Sequence, residues 1–315
     1  MTWPERAELT TLAVAVAQVL ALLLLAPLLQ GVINKVKAGF AGRIGPPVFQ
    51  LYYDLAKLLR KGAVFSRTTT WVFRLGPVAG VVTAGIAVLF VPLGGSPSPL
   101  SFTGDLLLVA YLLALGRFAT ILSALDSGSA FTGMGASREA AFSCLVEPAL
   151  FLGLVALAQI LPDGQALTLS NLTGAAGSGW GASAGALVLV LAAWLLVLLV
   201  ETCRIPFDDP NTHLELTMIH EVMVLDHSGP PLGLVLYGAA LKFAVIGALV
   251  LGLVLPRSGN PSYDLSLGLA GLIGLAVAVG VVESVMARLR LVRVPLLLVG
   301  ASLLAGFAVV LLALR

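Results

Sequence analysis

Residues 181–229 read GASAGALVLVLAAWLLVLLVETCRIPFDDPNTHLELTMIHEVMVLDHSG. The first part, 181–202, is an apolar run of the length that crosses a bilayer, since about 20 helical residues at 1.5 Å each span a hydrocarbon core of about 30 Å. The second part is an acid-rich island holding Glu201, Asp208, Asp209, Glu215, Glu221 and Asp226. A carboxylate next to hydrocarbon costs several kcal/mol unless it is paired, hydrated or protonated, so such a cluster marks a path or a site.

Working outward, the rest of the chain repeats the apolar theme. Of 315 residues, 59% are hydrophobic and only 11% charged, against roughly 25% charged in a soluble domain. Mean hydropathy is +1.03. Further spans are predicted at 9–33, 72–92, 104–124, 140–161, 232–255, 264–286 and 294–314, which with 181–202 makes an all-α integral membrane protein of about eight transmembrane helices. The chain reads as one membrane domain, 1–315, with the first apolar run retained as a span because it is too long for a signal and lacks a small-residue cleavage pattern.

Fourteen lysines and arginines, from Lys35, Lys37 and Arg43 through Arg117 and Arg138 to Arg288, Arg290 and Arg293, fall on one side, against Arg6, Arg257 and Arg315 on the other. The positive-inside rule makes the basic side cytoplasmic and puts both termini outside. A net charge of +2 then reports topology and gives no reason to expect nucleic acid. Cys144 and Cys203 lie near cytoplasmic helix ends and read as inert apolar residues. The Asn171-Leu172-Thr173 sequon falls in an outside loop and is weak as a signal. No repeat of 20 to 50 residues and no inverted halves are visible.

Three segments on the basic side carry chemistry. Between 42 and 62, Gly45-Pro46-Pro47 breaks the chain, after which Val48, Leu51, Tyr52, Leu55, Leu58 and Leu59 recur at helical spacing opposite Gln50, Asp54, Lys57 and Lys61. This predicts a cytoplasmic interfacial amphipathic helix, with Asp54 and Lys57 placed to pair. In 133–148, Ser137 is placed to cap a helix that has Glu139 in its first turn. Glu147 then falls about 15 Å into the span, followed by Pro148, which frees a carbonyl one turn earlier. A glutamate is too short to snorkel from there, so a protonatable group in a polar path is the favoured reading.

The third segment, 201–229, is an acidic loop and short helix. Glu201 ends a span with Arg204 placed to neutralise it, Pro206 and Pro210 stop the helix, and Thr212 with Glu215 forms a capping-box pattern. His213, His220 and His227 recur every seven residues, about 10.5 Å apart on a straight helix, whereas two nitrogens on one zinc lie within ~4 Å. No metal site is expected. Two more in-membrane charges are Lys242, mid-span, whose long stem also lets it snorkel, and Glu283, which reads as pairing with Arg288 near the interface. With Glu147 and Glu201 they supply the alternating acid and base of a proton relay.

Four blocks of the chain resemble the membrane subunit shared by respiratory complex I and the membrane-bound [NiFe] hydrogenases, including formate hydrogenlyase. They are Arg43-Ile-Gly-Pro-Pro with Gln50, Asp54 and Lys57; Gly-Ala-Ser-Arg138-Glu139 leading to Glu147-Pro148; Glu201-Thr-Cys-Arg204-Ile-Pro206-Phe-Asp208-Asp209-Pro210; and Glu283-Ser-Val-Met-Ala-Arg288-Leu-Arg290. The Glu215 to His220-Glu221 run is similar to the hydrogenase branch, and a quinone-binding complex I subunit is the alternative. The resemblance implies a subunit without a redox centre of its own. Iron-sulfur clusters and a [NiFe] site would belong to partners: hydrogenase-like large and small subunits, an iron-sulfur subunit and, in the lipid, antiporter-like membrane subunits. It implies a prokaryotic inner membrane. Docking of the peripheral arm would fall to Arg43, Gln50, Asp54, Lys57, Arg138 and Glu139. Coupling of electron transfer to proton or sodium translocation would fall to Glu147, Glu201, Arg204, Asp208, Asp209, Glu215, Glu221, Lys242 and Glu283. From other classes, a self-contained transporter or channel accounts for the same buried charges. A passive anchor leaves Glu147 unexplained.

Overall fold

The computed structural model of the chain describes residues 3–208 and 218–314, with side chains described from Leu12 onward. Its elements are helices: α1 (Trp3–Phe40), α2 (Gln50–Arg60), α3 (Trp71–Val88), α4 (Asp105–Asp126), α5 (Ala130–Ile160), α6 (Leu169–Ser178), α7 (Ala184–Glu201), α8 (His220–Val224), α9 (Gly229–Val254), α10 (Pro261–Val285) and α11 (Val294–Ala313). All but α2, α6 and α8 are long and apolar enough to cross a membrane. The protein is a multi-pass membrane protein, and eight such helices among the described residues put the start of α1 and the end of α11 on one face.

The bundle is organised around α9, whose residues from Ala240 to Leu253 are almost all buried, as expected of a helix apolar all round. Helices α3 and α4 pack as neighbours, as do α5 with α11 and α1 with α10, while α3 and α7 rest on α9. Trp194 of α7, Phe73 of α3 and Phe243 of α9 are among the largest fully buried side chains.

Two helices differ from the expected spans. α1 continues to Phe40, past the expected end at 33, because Lys35 and Lys37 are good helix formers whose ammonium groups find partners there, Lys35 at the Ile44 carbonyl and Lys37 at Glu283. α5 begins at Ala130 rather than at Ser137. Gly128, with φ +71°, makes the turn out of α4, and Thr132 Oγ1 donates to the Ser129 carbonyl at 2.9 Å. Ser137 therefore lies inside the helix, its hydroxyl donating to the Met134 carbonyl. Helix α6 is an addition to the expected elements. It contains the sequon, where Asn171 Nδ2 donates to the Ala166 carbonyl and Thr173 is buried.

The amphipathic segment forms α2, with Val48 just ahead of it. α2 packs on α1 and α9, and the Val48 carbonyl sits so close to Gly31 that a side chain there would collide with backbone. Pro27 removes the amide that would bond the Leu23 carbonyl of α1. Tyr237 of α9 donates to that carbonyl at 3.1 Å, and Tyr52 of α2 donates to the next one, Leu24. Asp54 accepts a hydrogen bond from Gln50 Nε2 at 2.9 Å instead of pairing with Lys57, because the i, i+4 neighbour on the same face already offers a donor.

On the face opposite the lysines and arginines, the connection between α3 and α4 folds back into the bundle. Val91, Leu93 and Ser96 are at most 1% exposed. Gln18 Nε2 donates to the Val91 carbonyl at 3.0 Å, and Ser96 Oγ donates to the Pro261 carbonyl at 3.1 Å.

Candidate functional site

Four helices bring their charges to one level inside the bundle. Arg117 lies about 14 Å from the basic-side end of α4, and Lys242 about 20 Å from the start of α9. Glu201 is the last residue of α7, which stops inside the bundle so that residues 202–208 continue through its interior. Arg117 Nη2 bonds Glu147 of α5 at 2.7 Å, and Arg117 Nη1 also pairs with Glu201. The other oxygen of Glu201 takes Lys242 Nζ at 2.6 Å. The order is Glu147, Arg117, Glu201, Lys242, acid and base alternating. Breaking a buried pair leaves an uncompensated charge worth about 3–5 kcal/mol, so these four side chains hold one another in place.

Burial along the line is uneven. The side chains of Arg117 and Glu201 are 8% and 10% exposed, whereas that of Glu147 is 45% exposed. The network therefore begins in the interior and ends on the flank of the bundle. Arg117 and Glu201 also stand between two cavities. One, of about 80 Å³, is lined by Thr83, Glu139, His220 and Lys242 as well as by the pair itself. The second, of about 50 Å³, is lined by Tyr111, Glu147 and Phe151 with the same two residues. A water needs ~10–15 Å³ of such space and two to four polar partners, so both have room and partners for water.

Nearer the basic face lies a second ion cluster. Glu283 of α10 accepts Lys37 Nζ at 2.6 Å and Arg204 Nη1 at 3.2 Å, and Arg204 Nη2 bonds Gln30 Oε1 of α1. Arg288 Nη2 approaches Asp208 at 3.6 Å, and Asp208 Oδ2 accepts the amides of Ile219 and His220 at 3.1 Å each. Two expected pairings are thus replaced. Arg204 does not neutralise Glu201, because Cys203 takes φ 53° and turns the chain away after α7. Glu283 does not pair with Arg288, because it is buried among α1 and the 202–208 segment with two cations nearer to hand.

Glu221 sits in the first turn of α8, while Asp209 and Glu215, with Thr212 and His213, lie outside the described residues. Of the expected docking residues, Arg43 and Lys57 are exposed on the basic face and Gln50 and Asp54 are half-buried beside them. Arg138 and Glu139 turn inward. Arg138 Nη1 donates to the Met218 carbonyl at 2.9 Å, strapping the segment before α8 onto α5, and Glu139 lines the larger cavity. His227 packs edge-on against Phe73 with ring centroids 4.1 Å apart and bonds Ser123 Oγ at 3.3 Å. Burial pushes its pKa down to about 4. Burial, reinforced by Glu139 and Asp208, pushes the Cys203 thiol well up, and both cysteines are free.

Arg117 is the residue that sequence reasoning assigns wrongly. Charge bias groups it with the basic face, yet it stands mid-helix at the centre of the network. The available signal is its position between Leu112-Leu113-Ala114-Leu115-Gly116 and Phe118-Ala119-Thr120-Ile121-Leu122, apolar on both sides.

Residues 12–314 match the NADH dehydrogenase family. The chain belongs to that family. Among its relatives, formate hydrogenlyase subunit 4 of Escherichia coli is 35% identical over 285 residues, covering 87% of this chain and 90% of the relative. Hydrogenase-4 component C of the same organism is 37% identical over 242 residues, 77% of this chain and 75% of the relative. An NADH-quinone oxidoreductase subunit of Rubrobacter xylanophilus is 26% identical over 237 residues, 75% of this chain and 70% of the relative. A chain of the archaeal membrane-bound sulfane sulfur reductase shares the fold with a TM-score of 0.81 at 21% identity, over 96% of this chain and 99% of the other.

Proposed function

We propose that this chain is the membrane coupling subunit of a multisubunit respiratory-type complex, anchoring a peripheral redox arm and linking electron transfer there to proton movement. The observation that carries this reading is the Glu147–Arg117–Glu201–Lys242 line between two cavities. Family membership and the two relatives named as hydrogenlyase and hydrogenase-4 components support it.

On this reading the basic face is cytoplasmic in a prokaryotic inner membrane, both termini lie outside, and the arm docks around Arg43, α2 and the 202–228 segment. The arm consists of hydrogenase-like large and small subunits and an iron-sulfur subunit, which together carry the iron-sulfur clusters and a [NiFe] site. A proton enters the cavity lined by Glu139 and His220 and reaches Glu201. Because Glu201 and Glu147 share Arg117, protonation of one carboxylate strengthens the hold of Arg117 on the other. That exchange hands charge toward Glu147, whose exposed flank faces an antiporter-like neighbour.

The test uses the whole complex, purified in mild detergent and reconstituted in sealed vesicles. Glu147→Gln and Glu201→Gln should preserve subunit composition and redox turnover while reducing turnover-dependent proton translocation to background. Normal pumping by both variants would rule the path out. Recovery of flavin subunits with quinone reduction, instead of a nickel module with hydrogen-linked activity, would assign the chain to a quinone-reducing complex. Ion flux through the chain alone would make it a transporter.

A further inference from the structure

On the outer surface, helices α7 and α11 leave a groove of about 660 Å³ whose walls include Leu189, Leu196, Leu296, Leu303 and Phe307, with Arg293 at its basic-side mouth. Leu296 is 75% exposed, Leu303 68% and Phe307 61%. From Leu296 to Phe307 the groove runs about 16 Å along α11 at 1.5 Å per residue. That is close to half of a hydrocarbon core about 30 Å thick. Arg293 is the one charged residue lining the groove, and it stands at the basic-side end. Among the described residues neither Arg293 nor the nearby Arg290 has an ion-pair partner. An apolar slot with unneutralised guanidinium groups at headgroup level matches one chemistry, an anionic phospholipid.

The geometry points to a bound anionic phospholipid of the basic-side leaflet, one acyl chain in the α7–α11 groove and its phosphate held by Arg293. The groove is separate from the charge network, since none of Arg117, Glu147, Glu201 and Lys242 lines it. Gly300 lies in the groove, and a side chain there meets nothing within 4 Å. Gly300→Leu therefore fills the slot without disturbing the helix packing behind it.

The full chain, purified with whatever subunits accompany it, is placed in phosphatidylcholine vesicles containing a trace of phosphatidylglycerol or of phosphatidylcholine with a photoactivatable acyl chain. The phosphatidylglycerol label should enter peptides spanning 289–307 severalfold more than the phosphatidylcholine label. Arg293→Gln should lower that preference about fivefold, the worth of one basic residue near a membrane surface. Gly300→Leu should abolish labelling by both lipids with an unchanged elution profile. Equal labelling by the two headgroups overturns the inference, as does undiminished labelling of Gly300→Leu. A photoreactive residue at position 303 that captures a protein subunit instead of lipid overturns it as well.

Discussion

Two pairs of buried carboxylates, Glu201 with Glu283 and Asp105 with Asp264, differ in the kind of partner that holds them. At mid-bundle Glu201 is held by Arg117 and Lys242, and nearer the basic face Glu283 is held by Lys37 and Arg204, each a charge on another segment of the chain. On the opposite side Asp264 accepts the Ser258 amide at 3.0 Å and its hydroxyl at 2.6 Å, and Asp105 accepts the Leu169 amide at 2.8 Å. Backbone amides do not titrate, so the second arrangement fixes chain geometry. The first can redistribute charge among its members, and it has water-sized cavities on either side of its central pair. Burial of an acid therefore says little about its role until its partners are known.

The largest effect is expected at Arg117, which joins two carboxylates. Arg117→Met should destabilise the protein by about 3–5 kcal/mol, since it strips the shared cation from two carboxylates. The effect should appear as a large drop in thermal unfolding temperature and in recovered complex. A smaller and more discriminating difference separates the two pairs. Asp264→Asn should cost about 2 kcal/mol, because its new amide group faces donors. Glu201→Gln should cost less, because the amide keeps an oxygen for Lys242, Arg117 keeps Glu147, and the two cavities have room for water. Equal losses in the two unfolding measurements would remove the distinction drawn between the regions. One effect appears only in acid, a pH slope from His227, whose folded pKa of about 4 lies below its unfolded value near 6.5. The unfolded state then binds the proton first, so stability should be constant above pH 6.5 and fall between 6.5 and 4. In His227→Phe this part of the slope should vanish when unfolding temperature is followed across that range.

What can be read in the sequence is whatever local pattern controls. Apolar length alone identifies the spans, and the periodicity of Leu51, Leu55 and Leu58 identifies α2. Glu147 stands out because nothing near it in sequence can neutralise it. The pairings are not legible, because Arg117 meets Glu147 and Glu201 from 30 and 84 residues away, and residues near in sequence stand in for them. Arg204 is three residues from Glu201 yet is carried to Glu283 by a single backbone turn at Cys203. Asp105 and Asp264 pass unnoticed because each sits in the first turn of a helix, where an acid is ordinarily explained by the helix dipole. Their burial comes from loops that return from elsewhere in the chain.

The infolded connection between α3 and α4 also fixes an order of events during synthesis. Ser96 is bonded to a carbonyl 165 residues further along the chain, so that closure must wait until α10 has been made. At 5–20 residues per second the delay is roughly 10 to 30 s, during which Ser96 lacks that acceptor. The far side of the bundle is therefore closed late, by the arrival of α10, and a chain truncated before Pro261 has its earlier spans but lacks the bond that closes them.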